Sequence, residues 1–463
     1  FFQAEDGIRA SVASRGRGDV YKRQAQLIEL IESKAIEKKE SEVASWFVLD
    51  AIANFVAGRN SEQGRILEGW YLDEPAETSR TAFWIGASMH IQEVDDLHRQ
   101  SVVHPGCVVI PTVLALGMRE DISGLQMLEA VVKGFEACTR IGNSVGPAHY
   151  KIWHNTATCG PFGAAYAAGS LLKLGKKQFR DALGNAGTQS SGLWEFSENG
   201  AMSKHLHAGR AGQSGLLSAE LAKLGFSGSP TILEGKRGFY AACCPDANQE
   251  ALLVDPEGSW QIHRTSIKPW PCCRHTHPAI DAALEISSKL DGGNIESIEL
   301  GVTQATLDVC DKPTPETLYD AKFSLQHCVS VAILDGQVGF DAFESDARKR
   351  VAKMAIKISL ERNEEIEKAY PNAWGAEVKV KLTNGKEFSV RRKHAKGAPD
   401  APLSPTEFKE KATMLFRFGG VSEPEGWVER ILELDRVSSF RDSELIDLLD
   451  VSANGSKGKS FKI

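Results

Sequence analysis

The sequence lacks any apolar run of about 18 residues, the length that a membrane-spanning helix requires. It has no block of lysine and arginine, and its net charge of −7 disfavours an extended nucleic-acid surface. The nucleotide-binding patterns GxGxxG and GxxxxGK(S/T) do not occur. No two cysteines have the spacing typical of zinc ligands. We therefore expect no membrane, nucleic-acid, metal or organic-cofactor partner.

What the chain does contain is ordinary globular composition. Its 463 residues are 42% hydrophobic and 25% charged, enough for roughly two or three domains with sizeable cores. The nine cysteines are odd in number and scattered through apolar contexts. That usage is typical of reduced thiols, so we expect a cytoplasmic protein rather than a secreted disulfide framework.

The first 24 residues do not share the pattern of the rest. They show neither a clear apolar period nor the apolar centre of a signal peptide, and they do not begin with methionine. We expect residues 1–24 to be a leader that is disordered or foreign to the fold.

From Ala25 onward, apolar residues recur at three- and four-residue spacing, which predicts helices. The segments AQLIELIESKAIEKK and SEVASWFVLDAIANFVAG come first, and each of several later helical segments ends near a glycine. The run GAAYAAGS (Gly163–Ser170) has small side chains that let helices approach closely. Residues 25–265 are therefore predicted to form an all-helical bundle or array.

Strand patterns appear only after this helical part. The segments IESIELGVT (Ile295–Thr303) and AIKISLE (Ala355–Glu361) alternate as strands do. AEVKVKLTNGKEFSVRR (Ala376–Arg392) reads as a hairpin with Asn384-Gly385 at its turn. We predict a mainly α fold: a split all-helical domain (25–265 and 399–463) with a smaller α/β domain (266–398) inserted.

A first candidate site is the segment HIQEVDDLHRQSVVHPG (His90–Gly106). It combines Glu93, Asp95 and Asp96 with several histidines, among them His104. A carboxylate beside an imidazole is what general acid–base catalysis requires, because it orients and charges the ring. The alternative is a capped helix end with a solvated acidic turn.

Two further clusters suit an anionic ligand. His154 precedes a helix whose first N–H groups could receive an anion, although it could equally be only a cap. Lys204, His205, His207 and Arg210 lie within seven residues between glycines, a pattern that fits a carboxylate or phosphate ligand. An exposed basic turn explains the same pattern.

The segment KPWPCCRHTHP (Lys268–Pro278) contains two cysteines and two histidines, residue types that often bind metals. Neighbouring residues such as Cys272 and Cys273 are awkward chelators, since their side chains point to opposite sides of an extended chain. We expect both cysteines to be packing residues, with Lys268 and Arg274 holding anions and His277 moving a proton.

The order of these motifs resembles the MmgE/PrpD family. The resemblance rests on HPGCVVIPTVLALG, HNTATCGPFGAAYAAG, SKHLHAGRAGQSG, TILEGKRGF and KPWPCCRHTHPAID and covers the chain from Ala25 to the C-terminal helices. It implies an α/β lid on a split helical domain, a homodimer, no metal or organic cofactor, and an active site between the domains. The implied catalytic residues are His104, His154, Lys204, His277, Asp95 and Asp96.

The resemblance also implies a small polycarboxylate substrate, bound by Arg210, Arg274, Lys268, His327 and Glu93. Two positions depart from the family pattern: Leu97 replaces a common threonine in the acidic loop, and His327 replaces a common tyrosine. Both changes would alter the hydrogen-bonding groups of the pocket, which makes citrate-like substrates and cis-aconitate less expected.

Several functions are compatible with this reading. Dehydration of a 2-methylcitrate-like hydroxy acid by a hydro-lyase is the default. Epimerisation of an amino-dicarboxylate such as iminodisuccinate is the first alternative. It needs no leaving group, and Leu97 has no hydroxyl that could hydrogen-bond a departing hydroxide. Decarboxylation of a cis-aconitate-like acid, a non-catalytic ligand-binding role and a metalloenzyme remain open.

Overall fold

The computed structural model describes residues 23–290 and 292–449. Most of the predicted leader, residues 1–22, lies outside this part of the chain. The first helix begins at Arg23, two residues earlier than the sequence pattern indicates, and Gln24 is buried. Of the predicted leader, the structure therefore describes only Arg23 and Gln24, and both are helical.

The first part of the chain is helical and includes one short pair of strands. Its elements are α1 (Arg23–Ser33), α2 (Lys38–Arg59), α3 (Glu62–Leu72), α4 (Thr78–Met89), β1 (Leu97–His98), α5 (Gly106–Arg119), α6 (Gly124–Ser144), α7 (Pro147–Tyr150), α8 (Asn155–Leu171), α9 (Lys176–Gly187), α10 (Phe196–Asn199), α11 (Ser203–Lys223), α12 (Phe239–Cys243) and β2 (Thr265–Ser266). Their buried apolar side chains form one continuous core.

The small-residue face predicted on α8 does allow close helix packing. A Cβ atom at Gly163 would lie 2.7 Å from Cys138 Cβ and 2.7 Å from the Gly134 carbonyl oxygen on α6. Any larger residue at Gly163 would push the two helices apart. Since His154 immediately precedes α8, this close packing also sets where His154 lies.

One predicted helix is divided in two. The segment AQLIELIESKAIEKK was predicted as a single helix, but α1 ends at Ser33 and α2 begins at Lys38. The Glu37 backbone N–H donates to the Glu40 side chain over 3.0 Å, which caps the start of α2. The apolar spacing continues across the break, so periodicity alone could not reveal it.

The middle part of the chain mixes helices and strands around a second core. It comprises α13 (His277–Ser287), β3 (Ile295–Val302), α14 (Gln304–Cys310), α15 (Leu318–Lys322), α16 (Leu325–Asp335), α17 (Ser345–Ala355), β4 (Ile358–Arg362), α18 (Glu364–Ala369), β5 (Ala376–Leu382) and β6 (Glu387–Arg392). The strand order is β4-β3-β5-β6, parallel between β3 and β4 and antiparallel elsewhere. The hairpin predicted at Asn384-Gly385 joins β5 to β6.

The C-terminal helices return to the first core. These are α19 (Pro405–Phe418) and α20 (Pro424–Leu432), and α19 starts with the capping sequence SPTE. Their buried residues Phe408, Leu415 and Phe416 belong to the same apolar cluster as α2 and α6. The mainly α class predicted from sequence is confirmed. Short 3₁₀ turns complete the described chain at Gln249–Leu253, Gln261–Arg264, Arg274–Thr276, Asp341–Phe343, Leu434–Arg436, Phe440–Asp442 and Glu444–Leu448.

The chain segment that connects the two cores contacts the acidic loop, residues 90–96, which joins α4 to β1. Strands β1 and β2 pair Leu97 with Ser266 and His98 with Thr265. Directly afterwards, the Ile267 backbone N–H donates to the Gly397 carbonyl over 2.9 Å. These contacts hold Lys268 between the acidic loop and Gly397, near the end of the middle part of the chain.

Gly397 is the backbone position that this arrangement depends on. It has φ of +80°, and a Cβ atom there would overlap the Ile267 carbonyl. We expect Gly397→Ala to lower the free energy of unfolding by about 3 kcal/mol in urea titration. Gly385→Ala is the matched control: its φ is +84° but nothing lies within 4 Å of the added Cβ, so about 1 kcal/mol is expected. Equal losses would refute the overlap argument.

Candidate active site

The acidic loop between α4 and β1 is the centre of the site. Glu93 adopts φ of +59°, a left-handed conformation that costs a non-glycine residue energy and is often found at functional positions. In this conformation its carboxylate accepts from Lys204 Nζ over 2.6 Å, while its carbonyl accepts from Lys268 Nζ over 3.0 Å. One strained residue thus joins two lysines from distant segments.

His90 and Asp95 form a buried dyad. His90 Nδ1 lies 2.6 Å from Asp95 Oδ2, and both side chains are almost wholly inaccessible. An ionised carboxylate only accepts, so Nδ1 carries the hydrogen. His90 Nε2 is buried and has no hydrogen-bond partner. A carboxylate-oriented imidazole with a free Nε2 is the arrangement that general bases use.

His104 has the same tautomer for a different reason. Its Nδ1 donates to the Asp96 carbonyl over 2.6 Å and lies 3.3 Å from Asp95 Oδ2. In the neutral ring, Nε2 is therefore the basic atom. Burial lowers the pKa of His104 to about 4, against the attraction of Asp95. The rings of His90 and His104 are 4.7 Å apart between centroids, edge to face.

His154 completes the imidazole group from the start of α8. Its ring centroid lies 5.9 Å from that of His90 and 6.5 Å from that of His104. The ring also packs against Trp194, 4.8 Å away. Burial, reinforced by neighbouring cationic groups, holds the pKa of His154 well below its usual value. It is neutral at pH 7 and can accept a proton only transiently.

Adjacent carboxyl groups are pushed to opposite protonation states. Burial raises the pKa of Asp96 well above its usual value, and the charge of Asp95 raises it further. For Asp95, burial is outweighed by the charges of His90, His104 and Lys268, so its pKa falls well below the usual range. Asp95 is therefore the ionised partner of the imidazoles. Asp96 accepts from the Gly106 N–H over 2.9 Å and caps α5.

Four buried lysines contact the acidic loop. Lys411 donates to the Val94 carbonyl over 2.7 Å and is ion-paired with Asp50, so three lysines remain, one more than the ionised carboxylates of the loop. They are Lys204 on α11, Lys268 after β2, and Lys322 at the end of α15, and all are buried. Lys322 Nζ donates to the Gln92 carbonyl over 3.0 Å. Burial lowers the pKa of Lys322 to about 8, opposed by the charge of Glu93. With Glu93 and Asp95 ionised, one positive charge stays uncompensated, which suits an anionic ligand.

His277 and Arg274 lie beside this group but are engaged with each other. Arg274 Nη1 donates to His277 Nδ1 over 3.0 Å, and His277 Nε2 donates to the Cys272 carbonyl over 3.2 Å. Arg274 also donates to the carbonyls of Ala395 and Lys396. Both nitrogens of His277 are thus in use within the protein. In this structure the pair anchors the segment that follows Lys268.

The other two predicted binding residues are not brought to the acidic loop. Arg210 is exposed on α11 and donates to Gln213. It lines a surface cavity of 580 Å³ together with His207. His327 is buried in the second part of the chain, where its Nε2 donates to the Ala342 carbonyl over 2.8 Å. Its position in the sequence motif gave no indication of this separation.

The structure adds to the site four residues that were not among the predicted catalytic and binding residues: His90, His205, His207 and Lys322. The first three stand inside the histidine-rich motifs, so residue type was a usable signal for them. His205 Nδ1, like His90 Nε2, is a buried atom without a hydrogen-bond partner, and the two rings are 6.4 Å apart between centroids. Lys322 stands in an unremarkable helical segment and had no such signal.

The predicted packing role of the paired cysteines agrees with their surroundings. Cys272 and Cys273 lie in the second apolar core. Within the described residues, the group with metal-ligand proximity is His90, Asp95 and Cys107, whose donor atoms lie within 4.8 Å of one another. Burial raises the pKa of the Cys107 thiol well above its usual value, and its Sγ donates to the His104 carbonyl. In this state the thiol is protonated and His90 is hydrogen-bonded to Asp95, so a metal would have to displace both hydrogens in order to bind here.

Comparison with known proteins identifies the relatives of this fold and site. The family model of the MmgE/PrpD N-terminal domain matches residues 22–252, and that of the MmgE/PrpD C-terminal domain matches residues 270–434. The chain belongs to the MmgE/PrpD family. The resemblance seen in the sequence motifs is thereby confirmed.

Characterised members of the MmgE/PrpD family are similar over most of their length. The chain is 24% identical over 392 residues to a cis-aconitate decarboxylase of Aspergillus terreus, covering 79% of each protein. It is 26% identical over 348 residues to the cis-aconitate decarboxylase of Mus musculus, covering 71% of this chain and 70% of the mouse protein. In the described residues, no helix has the length and apolarity that crossing a bilayer demands.

Proposed function

We propose that the protein is a lyase that removes CO₂ from a small di- or tricarboxylate without an organic cofactor. The observation that carries the proposal is the buried site at the acidic loop, where Lys204, Lys268 and Lys322 contact Glu93 or Gln92 and the nearby His90 Nε2 has no hydrogen-bond partner. Similarity to proteins named cis-aconitate decarboxylase, over about three quarters of the chain, supports the choice of leaving group.

Substrate carboxylates would bind to the lysines. Lys204, Lys268 and Lys322 supply ammonium groups that, in the free protein, share Glu93, Asp95 and backbone carbonyls. A carboxylate entering this buried site would meet one uncompensated positive charge and would be attracted more strongly than in water. We infer that the middle part of the chain, which contributes Lys322, closes over the substrate as a lid.

The proposed reaction breaks one C–C bond and forms one C–H bond. The bond to the departing carboxylate breaks, and its electron pair stays on carbon, delocalised toward a neighbouring unsaturated or carboxyl group that a lysine stabilises. A proton then reaches that carbon. Lys322, whose pKa is about 8, is the residue best suited to donate it near neutral pH. His90 and His104, with basic Nε2 atoms, would take up and return protons during any shift of the double bond.

Dehydration, the function predicted first from sequence, has less support in this geometry. Expelling hydroxide needs an acid beside the leaving group. Asp96 keeps its proton, but the threonine that is common beside it in the family is absent here. The neighbouring Leu97 is a buried residue of β1 without a hydroxyl. The hydro-lyase and epimerase hypotheses therefore become alternative outcomes of the same experiment.

That experiment is incubation of the protein with a panel of di- and tricarboxylates in D₂O, followed by NMR and by measurement of CO₂. We expect CO₂ release with one deuterium added to the product carbon. An alkene formed without CO₂ would identify a dehydratase. Deuterium exchange without any change of skeleton would identify an epimerase. No reaction with any member of the panel would refute the lyase proposal.

The pH dependence tests the role of Lys322. An ammonium group with a pKa of about 8 is protonated below that pH, so we expect kcat/KM to fall as the pH rises through about 8. Lys322→Arg keeps its charge at higher pH and should remove this limb between pH 7 and 9, at a lower rate throughout because a guanidinium is a poor proton donor. Lys353→Arg, an exposed control on α17, should leave the profile unchanged. An unaltered limb in Lys322→Arg would assign the titration to another group.

A further inference from the structure

The active site is sealed from solvent on the side of its histidines. His90, His104 and His154 expose at most 8% of their surface, and Asp95 exposes 2%. Decarboxylation as proposed above consumes one proton per turnover, since a C–H bond replaces the bond to the departing carboxylate. A site of this kind needs a route by which protons arrive from water.

His154 is the member of the group that has contact with the outside. Its Nδ1 lies 3.2 Å from Nδ1 of His207, a hydrogen-bond distance in which one ring donates and the other accepts. His207 is only partly buried and lines the surface cavity of 580 Å³ beside α11. The two rings therefore link the buried imidazole group to a solvent-filled space.

The surroundings of His207 hold it in this contact. The His154 backbone N–H donates to the Gly192 carbonyl over 3.0 Å, and the Phe196 ring lies edge-on to His207 with 5.4 Å between centroids. The charged groups on the same cavity are Arg210 and Glu195. Arg210 donates to Gln213, and within the described residues neither group forms an ion pair with the His207 ring, so no fixed charge competes with His154 for this ring.

We propose that His207 relays protons between the water of this cavity and His154, and through His154 to the buried site, where the group that protonates the reacting carbon is recharged after each turnover. The proposal rests on the proposed decarboxylation for its net proton demand. At each turnover His207 takes a proton from water at one ring nitrogen and releases one to His154 from the other. Burial lowers the pKa of His207 to about 4 and holds that of His154 well below its usual value, so both rings are neutral between transfers. Neither ring then traps the proton.

Two substitutions separate relay from structure. His207→Leu fills the space with a group that cannot carry a proton, and His207→Ala leaves room for a small base. We expect each to lower kcat about tenfold to a hundredfold with KM little changed. Added imidazole should restore His207→Ala to within a few-fold of the unmodified protein and leave His207→Leu unaffected. Leu206→Ala, a control on the wall of the same cavity, should retain full activity.

The outcomes distinguish failure of the relay from failure of the lyase. A kcat within twofold of the unmodified protein in both His207 variants, or a loss that imidazole does not relieve in His207→Ala, would overturn the relay while leaving the lyase intact. If no substrate releases CO₂, the relay is tested by ¹⁵N NMR of labelled histidines. Exchange of the His154 ring hydrogen with solvent should then be at least about tenfold slower in His207→Leu. Equal exchange rates would refute it.

Discussion

Replacing Lys204 by methionine is expected to lower kcat/KM about a thousandfold. The ammonium group of Lys204 is the one that binds the Glu93 carboxylate most closely, and methionine keeps most of its length without its charge. Loss of one charged donor to a developing anion in a buried site typically costs a factor of about 10² to 10³. Carboxylate binding suffers as well. The measurement is steady-state CO₂ release over a range of substrate concentrations.

The same substitution should also destabilise the free protein. It leaves Glu93 with Lys268 as its remaining cationic partner at 3.8 Å, and breaking a buried ion pair costs about 3 kcal/mol or more. Activity must therefore be compared well below the melting temperature. Lys223→Met on the exposed last turn of α11 is the matched control and should change neither quantity measurably. A Lys204→Met protein that keeps its kcat/KM would remove Lys204 from the site.

Replacing His90 by glutamine is expected to reduce kcat by a factor of about 10² to 10⁴. Glutamine can still hydrogen-bond Asp95, but it cannot accept a proton at the position of Nε2. KM should change little, because the substrate carboxylates are assigned to the lysines and His90 is hydrogen-bonded to Asp95. Stopped-flow or steady-state assays at pH 7 measure the effect directly.

A second histidine provides the comparison. His394 is also paired with a carboxylate, Asp400, at 3.3 Å, but it stands at the surface. His394→Gln should leave kcat within about twofold, as surface substitutions usually do. If His90→Gln is as active as His394→Gln, the free Nε2 of His90 takes no part in catalysis, and His104 becomes the next candidate base.

Local patterns predicted much of the fold because they depend on neighbours in the sequence. Helical spacing, the SPTE cap before α19 and the Asn384-Gly385 hairpin all reflect interactions within a few residues. The break between α1 and α2 escaped because the apolar spacing runs through it while Glu37 and Glu40 cap the second helix. Periodicity reports which face is apolar, and a change of helix axis leaves that pattern intact.

The sequence by itself determined that the protein is mainly α, that its histidines and carboxylates are grouped in a few motifs, and that Glu93, Asp95 and Lys204 stand among them. Only the tertiary structure decided that Lys268 and Lys322 meet the acidic loop from 175 and 230 residues away. It likewise placed His327 outside the site and left Nε2 of His90 free. Residue types are local properties of the chain. Which atoms are left unpaired, and which charges are balanced, depends on packing between segments far apart in sequence.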